Sequence, residues 1–71
     1  MNITKKEQKM NLQIGKHYQI ILKISDATLT YTCKIIDVNE NFISFVDKYG
    51  ATFNYNKNLI LSYKEVEQNG N

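Results

Sequence analysis

Between His17 and Lys64 apolar and polar residues alternate with a period of two, and no stretch of comparable length repeats at the helical period. A period of two sends successive side chains to opposite faces of an extended backbone, so the pattern predicts strands and excludes a helical bundle. From His17 to Ser25, Tyr18, Ile20, Leu22 and Ile24 share one face; Ile21 alone breaks the polar character of the other. From Thr28 to Val38, Leu29, Tyr31, Cys33 and Ile35 alternate with Thr28, Thr30, Thr32 and Lys34. The run Phe42 to Asp47 is apolar on both faces, as in a central strand. Ala51 to Tyr55 sets Phe53 and Tyr55 against Thr52 and Asn54, and Leu59 to Val66 closes the series.

Short breaks separate the runs. Ser25-Asp26-Ala27, Asn39-Glu40-Asn41 and Lys48-Tyr49-Gly50 are rich in residues that tolerate left-handed backbone, and Asn56-Lys57-Asn58 suits one helical turn. Five strands at spacings of about ten residues predict a small antiparallel barrel, because closure removes the two edges of an open sheet. The barrel is expected over residues 15–66, with a polar disordered tail over 67–71. Residues 1–14 read as a tail or a short helix. Thr4-Lys5-Lys6-Glu7 fits a capping box, while two lysines in the first turn oppose the helix dipole. The predicted core is Leu22, Tyr31, Cys33, Ile35, Phe45 and Phe53, with Phe42 placed inside too.

Seventy-one residues make one domain, with too little core to be robust alone. Cys33 is the single cysteine and His17 the single histidine, so neither an internal disulfide nor a four-ligand structural zinc site can form. Good packing or self-association must supply the stability. No apolar run approaches the roughly 18 residues of a membrane span. Lys5, Lys6 and Lys9 have no apolar segment behind them, so the expected location is cytoplasmic, in a bacterium or in a host cell. The net charge is +2 and every basic residue is lysine, which removes the two-pronged recognition that arginine gives. Lys, Asn, Ile and Tyr dominate, residues of A/T-rich codons, which points to a low-GC bacterium, its phage or a mobile element.

Catalysis is poorly supplied. Cys33 lies in the core phase of its strand and His17 in the polar phase of another, which argues against a nucleophile–base pair. Asp37, Glu40 and Asp47 read as solubilising charge near turns. There is no glycine-rich phosphate loop and no metal motif, so no enzyme and no cofactor is expected. The eight aromatics carry more information. Tyr49 stands in a tight turn, where a ring can stack on a base or anchor a protein. Tyr55 and Tyr63 are interleaved with Lys57 and Lys64, a ring-and-cation pattern suited to single-stranded nucleic acid.

Gly15-Lys16, Ile21-Leu22-Lys23, Tyr31-Thr32-Cys33-Lys34-Ile35, Asn39, Phe42-Ile43-Ser44-Phe45-Val46 and Leu59-Ile60 follow one another in an order that resembles the Sm-like family. That resemblance implies a strongly bent five-stranded barrel after a short helix, closed into a ring of about six or seven copies that binds RNA. Cys33 stands where the family pattern has glycine, Asn39 where it has aspartate and Ile43 where it has asparagine. Asn39 and Lys57 are the residues it carries over as RNA contacts. Src-homology-3-type barrels share the strand order and bind proteins, peptides or nucleic acid. The expected function is therefore non-catalytic binding of RNA or single-stranded nucleic acid by a self-associating barrel, through Asn39, Tyr49, Lys57, Tyr55 and Lys64. The alternative is a small phage or mobile-element accessory protein that docks on a host protein or captures a small nucleotide.

Overall fold

Each alternating run becomes a strand. The computed structural model describes residues 10–67, in which β1 (His17–Ile24), β2 (Ala27–Val38), β3 (Phe42–Asp47) and β4 (Thr52–Asn56) are followed by a 3-10 turn (Lys57–Leu59) and β5 (Ile60–Glu65). All five strands lie in one antiparallel sheet, in the order β4-β3-β2-β1-β5. The β1–β2 hairpin turns on two residues, Ser25 and Asp26, with Ile24 paired to Ala27. Ser25 takes φ 54°, the left-handed conformation that two-residue hairpin turns require.

β2 belongs to two ribbons. Its residues Ala27 to Lys34 pair with β1, and Cys33 to Val38 pair with β3, so the two ladders overlap only at Cys33 and Lys34. A bulge leaves Ile36 as the extra residue between Ile35 and Asp37. A second irregularity pairs Ile21 with Ser62 but Leu22 with Ile60, which leaves Leu61 unpaired. Bulges bend the strand and increase its twist. Both bulge residues, Ile36 and Leu61, are exposed.

The inner face carries the core: Tyr18, Ile20 and Leu22 of β1, Cys33 and Ile35 of β2, and Ile43 and Phe45 of β3 are buried. Leu22, Cys33, Ile35 and Phe45 thus lie where the alternation puts them. Tyr31 and Phe53 are only half-buried and pack against the core from its margin, ring on ring. Phe42 is not a core residue: Ile43 and Phe45 point inward, so Phe42, one step out of phase, is 41% exposed. A run apolar on both faces need not be buried on both.

Leu12, on the tail side of the boundary drawn at Gly15, is buried, and Met10 packs against the same core. Residues 10–16 form no helix. They are held by hydrogen bonds instead: the Gly15 N–H donates to the Ile35 carbonyl (2.8 Å) and the Ile35 N–H to the Lys16 carbonyl (3.0 Å). The Tyr18 hydroxyl accepts from the Gln13 N–H (2.9 Å), and the Tyr63 hydroxyl from the Asn11 N–H (3.0 Å). The helix start expected at Thr4 lies outside the described residues. Among the described residues no ladder joins β4 to β5, so the barrel is not closed by strand pairing. The 3-10 turn that links them lies against β1.

Candidate functional site

Asp47 builds the turn that presents Tyr49. Its Oδ1 accepts from the Tyr49 N–H and the Ala51 N–H, both at 2.9 Å, and its carbonyl accepts from the Gly50 N–H at 3.1 Å. Gly50 sits at φ 88°, which only glycine adopts without strain. The turn is fixed by these bonds, and Tyr49 projects from it 81% exposed. The Lys48 ammonium lies 5.4 Å from the ring centroid, within cation–π range.

Asn39 is also a turn builder. Its Oδ1 accepts from the Asn41 N–H (3.0 Å) and the Phe42 N–H (2.9 Å), which folds the β2–β3 connection on itself. The Lys57 N–H donates to the Asn41 carbonyl (2.8 Å), and the Asn56 side chain caps the 3-10 turn by accepting from the Asn58 N–H. Asn39 and Lys57 therefore come together at one end of β3. Tyr49 is at the other end, six residues away along the strand, or about 20 Å at the usual rise. The three loop residues of the expected site form no single surface.

Tyr55 belongs to an aromatic cluster rather than to a free surface. Its ring stacks on Phe53 (5.9 Å between centroids, 9° between planes) and approaches Phe45 at 5.9 Å. Its hydroxyl shares a hydrogen bond of 3.0 Å with that of Tyr31. This bond, with burial behind it, pushes the Tyr31 phenol up to about 12. Tyr63 meets Tyr18 edge-on at 6.2 Å and holds the N-terminal segment through its hydroxyl. The interleaving of Tyr55 and Tyr63 with Lys57 and Lys64 in sequence does not survive as one patch. Lys64 itself is exposed on the outer face of β5, across from Gln19.

The Cys33 thiol is buried and donates to the Tyr18 carbonyl at 3.6 Å. Burial, and next the charge of Asp47, pushes it up to about 11, away from the thiolate that nucleophilic chemistry needs. Tyr18 pairs with Cys33 and His17 with Lys34, so the His17 and Cys33 side chains leave the sheet on opposite faces. No group of three or more His, Cys, Asp or Glu that could hold a metal ion occurs among the described residues. No helix among them is long and apolar enough to cross a membrane.

Register brings up residues that a strand-by-strand reading does not join. His17 lies beside Lys34, and Gln19 sits between Thr32 on one side and Lys64 on the other. The phases of these strands are visible in the sequence, but their alignment is not. No family model, curated protein or solved structure matches the chain.

Proposed function

We propose that this protein is a non-catalytic binding module for single-stranded nucleic acid, RNA foremost. Tyr49 carries the reading. A large ring almost wholly in solvent has no packing role, and Asp47 and Gly50 hold its turn in one geometry. An exposed ring on a fixed turn, with a cation beside it, offers a platform for one base. The buried, protonated Cys33 supports binding over chemistry. We further infer a barrel of the Sm-like or Src-homology-3-like kind, bridged by the 3-10 turn, that self-associates through the edges of β4 and β5.

Fluorescence anisotropy with a labelled A/U-rich 20-mer at low salt tests the reading. Binding should be detectable at micromolar protein, and Tyr49→Ala should weaken it by roughly 1–3 kcal/mol, as loss of a stacking ring does. No binding at tens of micromolar would end it. Light scattering at two concentrations tests self-association. A second reading, docking on a host protein, draws on Ile36 and Phe42, which are 42% and 41% exposed near the Asn39 loop.

A further inference from the structure

We propose that the outer face of β5-β1-β2 is the track along which the phosphate backbone of the bound strand runs, with Tyr49 at its margin; this rests on the nucleic-acid reading above. The register lays out that face row by row. Lys34 stands beside His17, Thr32 beside Gln19 and Lys64, Thr30 beside Ile21 and Ser62, and Thr28 beside Lys23. All of these side chains belong to the phase opposite Tyr18, Ile20, Leu22 and Cys33, so they leave the sheet away from the core. The three lysines, the three threonines and Ser62 are exposed, while His17, Gln19 and Ile21 on the middle strand are partly shielded by their neighbours.

The rows that β1 shares with β2 and β5 hold Lys23, Lys34 and Lys64 and no carboxylate. Glu65 is of the inner phase and its Oε2 is 3.5 Å from the Lys16 ammonium, and Asp26 lies in the hairpin turn. Asp37, of the same outer phase as Lys34, stands beyond the Ile36 bulge, paired with Ser44 and past the end of the β1 ladder. By contrast the outer face of β3-β4, with Phe42, Ser44, Val46, Thr52 and Asn54, has no lysine. Three of the six lysines among the described residues thus share one face. Hydroxyl and amide donors fill the space between its ammonium groups, and phosphate oxygens accept from such groups. Its one ring, the partly shielded His17 imidazole, lies at one end beside Lys34, so the contact this face offers is chiefly with the backbone. Cys33 pairs with Asp47, and the turn holding Lys48 and Tyr49 starts one residue further, next to the Thr32 row. A strand lying across the lysines can therefore place a base on Tyr49.

Salt dependence tests the proposal. Three contacts give a slope of log affinity against log salt of about −2, a loss of about twentyfold between 50 and 200 mM. The double variant Lys34→Gln/Lys64→Gln should flatten the parent slope by about 1.4, at about 0.7 per phosphate, for A-only and U-only 20-mers alike. Lys57→Gln, at the far end of β3, should leave the slope as it is. A circular dichroism spectrum like the parent's shows that the variants fold, since these lysines are surface residues. Binding whose slope is unchanged in the double variant, or flattened by Lys57→Gln instead, overturns the track and leaves the nucleic-acid reading standing. Parent protein that binds neither 20-mer overturns both.

Discussion

The two ribbons that share β2 solve the packing problem differently. β5-β1-β2 buries the aliphatic Ile20 and Leu22, beside the buried ring of Tyr18, under a long ladder of eight paired positions between β1 and β2. β2-β3-β4 is shorter and fills its side of the core with rings: Phe45 lies 5.1 Å from Tyr31, 5.7 Å from Phe53 and 5.9 Å from Tyr55. Their outer faces differ as well, lysine-bearing on the first and without lysine on the β3-β4 part of the second. The contrast teaches that a small sheet can divide its labour. One ribbon offers a charged surface because its long ladder sets the lysines in neighbouring rows. The other offers turns, because short strands return the chain often.

The largest effects should come from the core, where the halves meet. Phe45→Ala should cost roughly 3–5 kcal/mol and Leu22→Ala roughly 2–5 kcal/mol, as full-size cavities do. Both side chains are completely buried and belong to one cluster with Cys33 and Ile35. Urea unfolding should then show a single transition for either variant, coincident by circular dichroism and tyrosine fluorescence. Two separated transitions would show that the ribbons are independent, and a cost below about 1 kcal/mol would mean that the site is not packed.

A smaller effect separates the aromatic ribbon from the aliphatic one. The Tyr31 phenol is held up near 12 by its hydrogen bond to Tyr55 and then by burial, against about 10 when unfolded. Folding therefore favours the protonated form. Its contribution is complete below about pH 10 and is lost as pH rises through about 12. Tyr55→Phe should lower stability by about 1 kcal/mol at neutral pH, the worth of one hydrogen bond, and should move the alkaline loss to lower pH. Ultraviolet titration of the phenolates follows it directly. An unchanged alkaline midpoint in Tyr55→Phe would remove the hydroxyl pair as the cause.

The strands were legible because alternation needs no partner to be seen. Phe42–Asp47 begins and ends where its run does, and β1, β2, β4 and β5 match theirs within about one residue. Three things were not legible, each for a physical reason. The bulges at Ile36 and Leu61 carry no glycine or proline to mark them, because they arise from how two strands align. Leu12 is buried in a segment whose Gln13 and Asn11 N–H groups donate to the Tyr18 and Tyr63 hydroxyls, contacts that no local pattern announces. The lysine face exists only once register sets Lys34 and Lys64 either side of β1. Tyr49 and Lys64, chosen from sequence, remain surface groups, while Tyr55 is engaged in packing.

Asn39 gives the finest test of that division between turns and face. The resemblance to Sm-like barrels would make it an RNA contact, yet its Oδ1 already accepts two backbone N–H groups of its own loop. A group that satisfies two local donors is a structural element first. Asn39→Ala should therefore cost about 0.5–1 kcal/mol of stability, near the low end for hydrogen bonds because the loop is exposed. Asn39→Asp keeps an acceptor oxygen in the same place and should recover most of that loss. Neither variant should change the affinity for the 20-mer by more than about twofold, since the loop lies beyond the Ile36 bulge from the ladder that carries the lysine rows. If both variants lose affinity tenfold while stability stays at the parent's value, the loop end is the binding surface. The division of labour between the ribbons would then be reversed, with the turns at Asn39 and Lys57 holding the ligand and the lysines of β1, β2 and β5 only keeping the sheet in solution.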